Sequence, residues 1–218
     1  MTVSQKIPGA AFTVVSTARG SSQRKGGGRA QKAEATRTAL LQAARELLTT
    51  RGYHEVGVRD FAAAAGVTRG AFYHHFPGKQ AMFLAVFDAV ESELTSTAAD
   101  KRDPSLDLWT AFRAGIKHYL VAVTRPDVQR ITLIDGPAVL GWERWREIEQ
   151  RYSLGSITSA LAAAMSSGRI RKRPVEPLAH LIFGSVMEAA LLVAHSKNPK
   201  RRAAEVGEAL DDLLGGLS

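Results

Sequence analysis

The stretch "VRDFAAAAGVTRGAFYHHF", from Val58 to Phe76, restricts the fold more than any other part of the chain. It predicts two helices, Arg59 to Ala65 and Arg69 to Phe76, joined at Gly66-Val67-Thr68. Helices this short are marginal in water, because so few hydrogen bonds do not offset the cost of nucleation. Tertiary packing must hold them, and Phe61, Ala62, Ala65, Val67, Phe72 and Phe76 are the apolar contacts available for it. The alanines allow two helices to approach closely, Gly66 suits a tight turn, and Thr68 suits the N-cap of the second helix. Two short helices joined in this way form a helix-turn-helix, whose second helix enters a major groove N-terminus first.

With Phe72 and Phe76 turned inward, Arg69, Tyr73 and His74 face outward, and Gly70 permits close approach. Arg69 has the fork that reads a guanine edge, while Thr68 and Tyr73 have hydroxyls for phosphate. His75 and Lys79 lie where a backbone strand would pass, and Arg59 can meet a base edge or a phosphate. The pair His74-His75 invites a metal reading that its spacing opposes. Adjacent helical residues point about 100° apart, and no Asp or Glu is spaced to complete a ligand set. A general base would need a pocket, which a convex helix surface does not offer.

Charge points the same way. Residues 1–33 carry six bases and no acid, residues 34–87 six bases and four acids, and residues 88–218 seventeen of each, so the net charge of +8 lies entirely in the first 87 residues. A neutral body with a basic N-terminal part suits a polyanionic partner, with nucleic acid ahead of an anionic membrane. Residues 1–33, rich in Ser, Thr, Gly and bases and without a sustained period, read as a disordered basic tail. The absence of cysteine excludes thiol catalysis, thiolate zinc sites and disulfides, and suits a cytoplasmic location.

From Glu34 onward the apolar spacing is helical: Leu40, Ala43, Ala44, Leu47 and Leu48 form one stripe, ended by Gly52. Phe83 to Leu94 and Trp109 to Val123 form two more, and a short piece runs from Asp127 to Ile134. "DGPAVLG" (135–141) reads as a break, after which Trp142 to Met165 resumes the period and "SSGRIRKRP" reads as a loop. Two stripes, about 176–197 and 200–217, complete the chain. The apolar run Leu178 to Ala194 is short for a membrane span and contains His180 and Glu188, so it reads as a buried helix. No alternation marks a strand, and the fold class is all-α. No GxSxG, P-loop, HExxH or strand-linked GxGxxG occurs, and His118, His180 and His195 are scattered on helices, so an enzyme is not expected and no cofactor is implied.

Residues 36–87, "TRTALLQAARELLTTRGYHEVGVRDFAAAAGVTRGAFYHHFPGKQAMFLAVF", resemble the DNA-binding domain of TetR/AcrR-type bacterial transcriptional regulators. The resemblance rests on the long first helix, "RGY" at 51–53, "AAAAGV" at 62–67, "FYHHF" at 72–76 and "GK" at 78–79, in that order. It implies a helix-turn-helix domain at 34–82 and a helical ligand-binding and dimerisation domain at 83–218. "LIDGPAVLGWERWREIE" at 133–149 looks like a segment of one branch of the family. The resemblance also implies a homodimer on a palindromic double-stranded operator, released by a small hydrophobic effector. An activator, or a ligand-independent DNA-binding protein of the same fold, stays open. Arg59, Thr68, Arg69, Gly70, Tyr73, His74, His75 and Lys79 match the DNA-contacting positions.

For the effector, the candidate lining is Trp109, Phe112, Ile116, Trp142, Trp145, Phe183 and Met187, a set that serves equally well as ordinary core. For the dimer, Leu178, Leu181, Ser185, Ala189 and Leu192 with Val206, Leu210, Leu213 and Leu217 line up on the last two long helices.

Overall fold

A computed structural model of the chain describes residues 27–100 and 103–217. Among them are ten α-helices and one π-helix and no strand, which agrees with the all-α expectation. The chain divides into compact units 1–35 and 36–218; of the first, only residues 27–35 are described, and they are helical.

Helix α1 spans Gly27–Arg51. It begins at Gly27 and not near Glu34, so residues 27–33 are helix where the sequence suggested a disordered tail. Ala30, Gln31, Lys32 and Ala33 are good helix formers, and adding residues to an existing helix avoids a new nucleation cost. The rest of the basic tail, residues 1–26, lies outside the described residues. Gly52 ends α1 at φ +79°, its N–H donating to the Leu48 carbonyl at 2.9 Å.

Helices α2 (Val58–Ala64), α3 (Arg69–His75) and α4 (Lys79–Asp100) follow, the first two within one residue of their expected bounds. Helix α5 (Leu108–Ala122) starts at Asp107, whose carboxylate accepts from the N–H groups of Trp109 and Thr110 at 3.1 Å.

The segment after Pro126 departs from the sequence reading. Helix α6 (Pro126–Val128), a π-helix (Gln129–Asp135) and α7 (Gly136–Leu140) run on without interruption, so "DGPAVLG" is helical up to Leu140. The break is confined to Gly141, at φ +80°. Pro137 has no N–H to return to the carbonyl five residues back, that of Thr132, and the Trp145 indole donates to that carbonyl instead at 2.8 Å. Gly136 permits this packing, since a Cβ there would lie 3.0 Å from the rings of both Phe87 and Trp145.

Helices α8 (Trp142–Ser166), α9 (Val175–Ala194) and α10 (Pro199–Gly215) complete the fold. Helix α9 packs against both α8 and α10, and α5 packs against α8 and α10. Helix α9 is long and apolar enough to cross a membrane by length and composition. It is not the buried helix its composition suggested. Ile182, Phe183, Met187, Ala190 and Val193 point into the core, while Leu181 is 69% and Leu192 46% exposed, and Leu213 of α10 is 57% exposed. Ala189 and Leu210, expected at a dimer contact, are buried within the chain itself.

The core also encloses two acids, Glu91 on α4 and Glu149 on α8. Burial, with Asp88 nearby, raises Glu91 from 4.5 to about 7; burial and then Glu91 raise Glu149 well above its ordinary value. The folded chain therefore holds protons that the unfolded chain releases above 4.5, and the stability this gives is lost as pH rises through about 7. Thermal unfolding followed by circular dichroism should show Tm falling across that window. Glu91→Gln, fixed in the neutral form, should flatten the fall; an unchanged pH profile in the variant would contradict the assignment.

Candidate nucleic-acid interface

Helices α2 and α3 are held together by rings. Phe61 and Phe72 stack with centroids 6.3 Å apart, Phe76 lies 5.9 Å from Phe72, and all three are buried. Each such side chain contributes about 1.5–3 kcal/mol on burial, more than seven-residue helices gain from hydrogen bonding alone. The turn between them is set by Gly66 at φ +67°, with Val67 N–H donating to the Ala62 carbonyl at 2.9 Å. At the start of α2, the Gly57 N–H donates to Asp60 at 2.7 Å, and this bond, with help from Arg51, holds the Asp60 carboxyl below its usual range. Thr68 caps α3, its Oγ1 accepting from Ala71 N–H at 3.1 Å while its own O–H stays available as a donor.

With the inner face fixed, the outer face of α3 is determined. Thr68, Arg69, Gly70, Tyr73 and His74 are exposed, as is Arg59 at the start of α2, while His75 and Lys79 are half-buried. Arg59 and Arg69 make no hydrogen bond or ion pair among the described residues, so both guanidiniums are free to meet a ligand. A Cβ on Gly70 would meet only Thr68 Oγ1, at 3.8 Å, so nothing within the fold demands glycine there. Lys79 is less free, since its Nζ sits 4.0 Å over the Tyr53 ring. The rings of His74 and His75 are 5.3 Å apart, edge to face, and no group of three or more metal-ligating side chains is found among the described residues.

The reading surface is anchored to the helices behind it by polar contacts that the sequence reading did not anticipate. Arg45 of α1 and Arg125 both pair with Glu93 of α4 and with Asp127 of α6, closing a four-charge ring with contacts of 2.5–2.8 Å. The hydrogen bond from Arg45, ahead of that from Arg125, holds the Glu93 carboxyl below its usual range. Eight residues further along each segment of chain, the Tyr53 N–H donates to Asp135 Oδ2 at 2.7 Å, and Arg130 pairs with the same oxygen at 3.3 Å. Tyr53 also meets Phe83 of α4 edge-on at 5.2 Å. Asp135 thus ties the turn after α1 to the end of the π-helix.

The seven candidate effector residues separate. Trp109, Ile116, Trp145, Phe183 and Met187 are buried, Phe112 is partly buried, and Trp142 is 54% exposed at the start of α8. Trp109 meets Phe112 at 5.7 Å, Trp142 meets Trp145 at 4.9 Å, and Arg146 lies over Phe183 at 5.3 Å. Two surface hollows of about 330 and 400 Å³ are lined by residues of α9 with α10 and of α5 with α10, and none of the seven borders either.

Comparison with known proteins agrees with this geometry. The family described as "Bacterial regulatory proteins, tetR family" matches residues 40–86, and "Tetracyclin repressor-like, C-terminal domain" matches residues 109–217. The transposon Tn10 TetC protein of Escherichia coli is 25% identical over 184 residues, covering 84% of this chain and 91% of that one. A crystal structure of a TetR-family transcriptional regulator from Pectobacterium atrosepticum superimposes with a TM-score of 0.74 at 34% identity, covering 86% of this chain and 96% of the other. The transcriptional regulator FadR of Bacillus subtilis, in complex with stearoyl-CoA, shares the fold at 18% identity and a TM-score of 0.68, covering 83% of this chain and 98% of its own.

The turn at Gly52 offers a direct test of the anchor. A side chain there must adopt a left-handed backbone and displace the Arg130 guanidinium from its place beside Asp135. Gly52→Ala should lower stability by about 1–2 kcal/mol, the cost of the left-handed conformation. Urea unfolding at constant m-value is the measurement, and an unchanged midpoint would mean the turn is not under this constraint.

Proposed function

Since the chain belongs to the TetR family of transcriptional regulators, we propose that it is a cytoplasmic, ligand-responsive repressor that binds a palindromic operator as a homodimer and leaves it when a small hydrophobic effector binds. The division of labour is residues 34–82 for DNA and 83–218 for effector and dimerisation. The observation that carries the reading is the outward face of α3, where Arg69, Tyr73 and His74 are exposed beside an unpaired Arg59. Arg69 reads a base edge, Thr68 at the N-cap of α3 and Tyr73 further along it hold phosphate, and His75 and Lys79 follow the backbone.

The second copy covers the apolar surface left open on the last two helices. Leu181, Leu192 and Leu213 are exposed there, with Leu178, Val206 and Leu217 partly so. Their burial in a two-fold four-helix contact sets the spacing of the two reading helices at about one helical turn of DNA. The effector acts on that spacing through α4, which begins beside the reading helix and carries Glu93 of the charge ring. Displacement of α4 or of the π-helix is passed to α1 through Arg45 and to Tyr53 through Asp135, and the effector's preference for one arrangement determines operator affinity.

Arg69→Ala and Tyr73→Phe should each weaken binding to an operator selected from random duplex DNA by about 1–3 kcal/mol, with Tm unchanged. Unaltered gel shifts for both variants would remove α3 as the reading helix. Deleting residues 1–26 should make the dependence of binding on salt less steep, by about one unit of logarithmic slope for each phosphate that the tail neutralises. An identical slope would mean that the tail does not touch DNA.

A further inference from the structure

Helices α4, α5 and α8 enclose a polar cluster inside an otherwise apolar core. Glu91 of α4 is 5% exposed and Glu149 of α8 is 2% exposed. The two carboxyls lie within electrostatic reach of each other, and both bear on the Tyr119 hydroxyl of α5. No lysine or arginine pairs with either acid among the described residues. Asp88 and Tyr152, each one turn from the pair on α4 and α8, hydrogen-bond to one another, and Asp88 remains close enough to Glu91 to disfavour its ionised form.

One atom has no partner at all. Glu149 Oε1 is buried and unbonded; the neighbouring Trp145 indole N–H donates to the Thr132 carbonyl at 2.8 Å and favours the ionised Glu149 carboxyl less than burial opposes it. A buried polar atom without a partner costs about 1–3 kcal/mol, and a buried carboxylate without a counter-ion costs more. A core that needed only packing would place leucine or methionine at both positions. Protonation keeps the pair neutral, since burial raises Glu91 to about 7 and raises Glu149 well above its ordinary value. On α5, one turn before Tyr119, the partly exposed Gly115 leaves open space: a Cβ there would meet no atom within 4 Å.

We infer that Glu91, Glu149 and Tyr119 form the polar end of the effector site, and that the effector is an amphiphilic amine whose ammonium group docks on the two carboxyls. This rests on the reading that residues 83–218 bind an effector. The empty pair is protonated and gives up one proton to solvent as the amine binds; the ammonium's three N–H donors then satisfy Glu149 Oε1, and its charge answers the one carboxylate formed while the other carboxyl stays protonated. The apolar body lies along the strip beside Gly115, against Phe112 and Ile116. An anionic ligand finds no counter-charge here and is repelled once either carboxyl ionises, and a neutral one offers nothing to offset that ionisation. Because Glu91 lies on α4 two residues before Glu93 of the charge ring, an occupant of this site acts directly on the helix that leads to the DNA-binding face.

The test uses the full chain with three matched probes, 1-naphthylmethylamine, 1-naphthylmethanol and 1-naphthylacetate, in isothermal titration calorimetry near neutral pH. The amine should bind at least about tenfold more tightly than the alcohol or the acid, with proton release visible as a heat that depends on the buffer. Glu149→Gln, which resembles the protonated acid in shape, should keep Tm and lose both the preference and the proton release. Equal binding of the three probes, absence of amine binding, or an amine preference that survives in Glu149→Gln would each overturn the inference. Gel shifts separate this outcome from the wider reading. If a neutral compound releases DNA equally from wild type and Glu149→Gln, the amine site is wrong and effector gating stands. If amine binding depends on Glu149 but never loosens DNA, the site stands and gating fails.

Discussion

Seven-residue helices do not persist alone in water, and everything this protein presents to DNA depends on the packing that holds two of them. The Phe61–Phe72–Phe76 contact fixes the rotation of α3 about its own axis. Once those rings are inside, Arg69, Tyr73 and His74 have no alternative to the outer face. The chemistry of the interface is therefore a consequence of apolar burial, with the Thr68 cap and the Gly66 turn setting where the helix begins.

That surface is useful only if its position can be controlled from elsewhere. The connection is polar: the ring of Arg45, Glu93, Arg125 and Asp127, and the pairing of the Tyr53 N–H and Arg130 with Asp135. The partly exposed pairs of the ring contribute little to stability, so their place in the fold is better explained by geometry than by energy, while Asp135 is itself buried and needs the partners it has. They join α1 and the turn after it to the second half of α4, to α6 and to the π-helix at defined distances. A π-helix in that connection is in keeping with its role, because one wide turn leaves a backbone carbonyl for Trp145 and a carboxylate for Tyr53.

Much of this was legible in the sequence, and what was not has identifiable causes. The short helices around Gly66 were readable because glycine, threonine and phenylalanine each occupy positions that admit few alternatives. The start of α1 was misplaced because Lys32 and its neighbours look like tail by charge and like helix by propensity, and an existing helix decides in favour of propensity. The break assigned to "DGPAVLG" failed at Pro137, whose missing N–H is compensated by an indole eight residues later. No local pattern reveals such a partner. Helix α9 is apolar on two faces, one packed in the core and the other open at Leu181 and Leu192 of the stripe assigned to the dimer, and composition alone does not separate the two. The glutamate pair was hidden for a related reason, since each acid sits singly among polar neighbours and only the fold brings them together.

The central claim is that two copies of α3 read one duplex from adjacent major grooves. Methylation interference at guanine N7 on a selected operator tests it most directly, because that atom is accessible only from the major groove. Two clusters of interfering guanines should appear, related by two-fold symmetry and spaced by about one helical turn, ~34–36 Å. Interference confined to a single cluster, or none despite retained binding, would contradict the account.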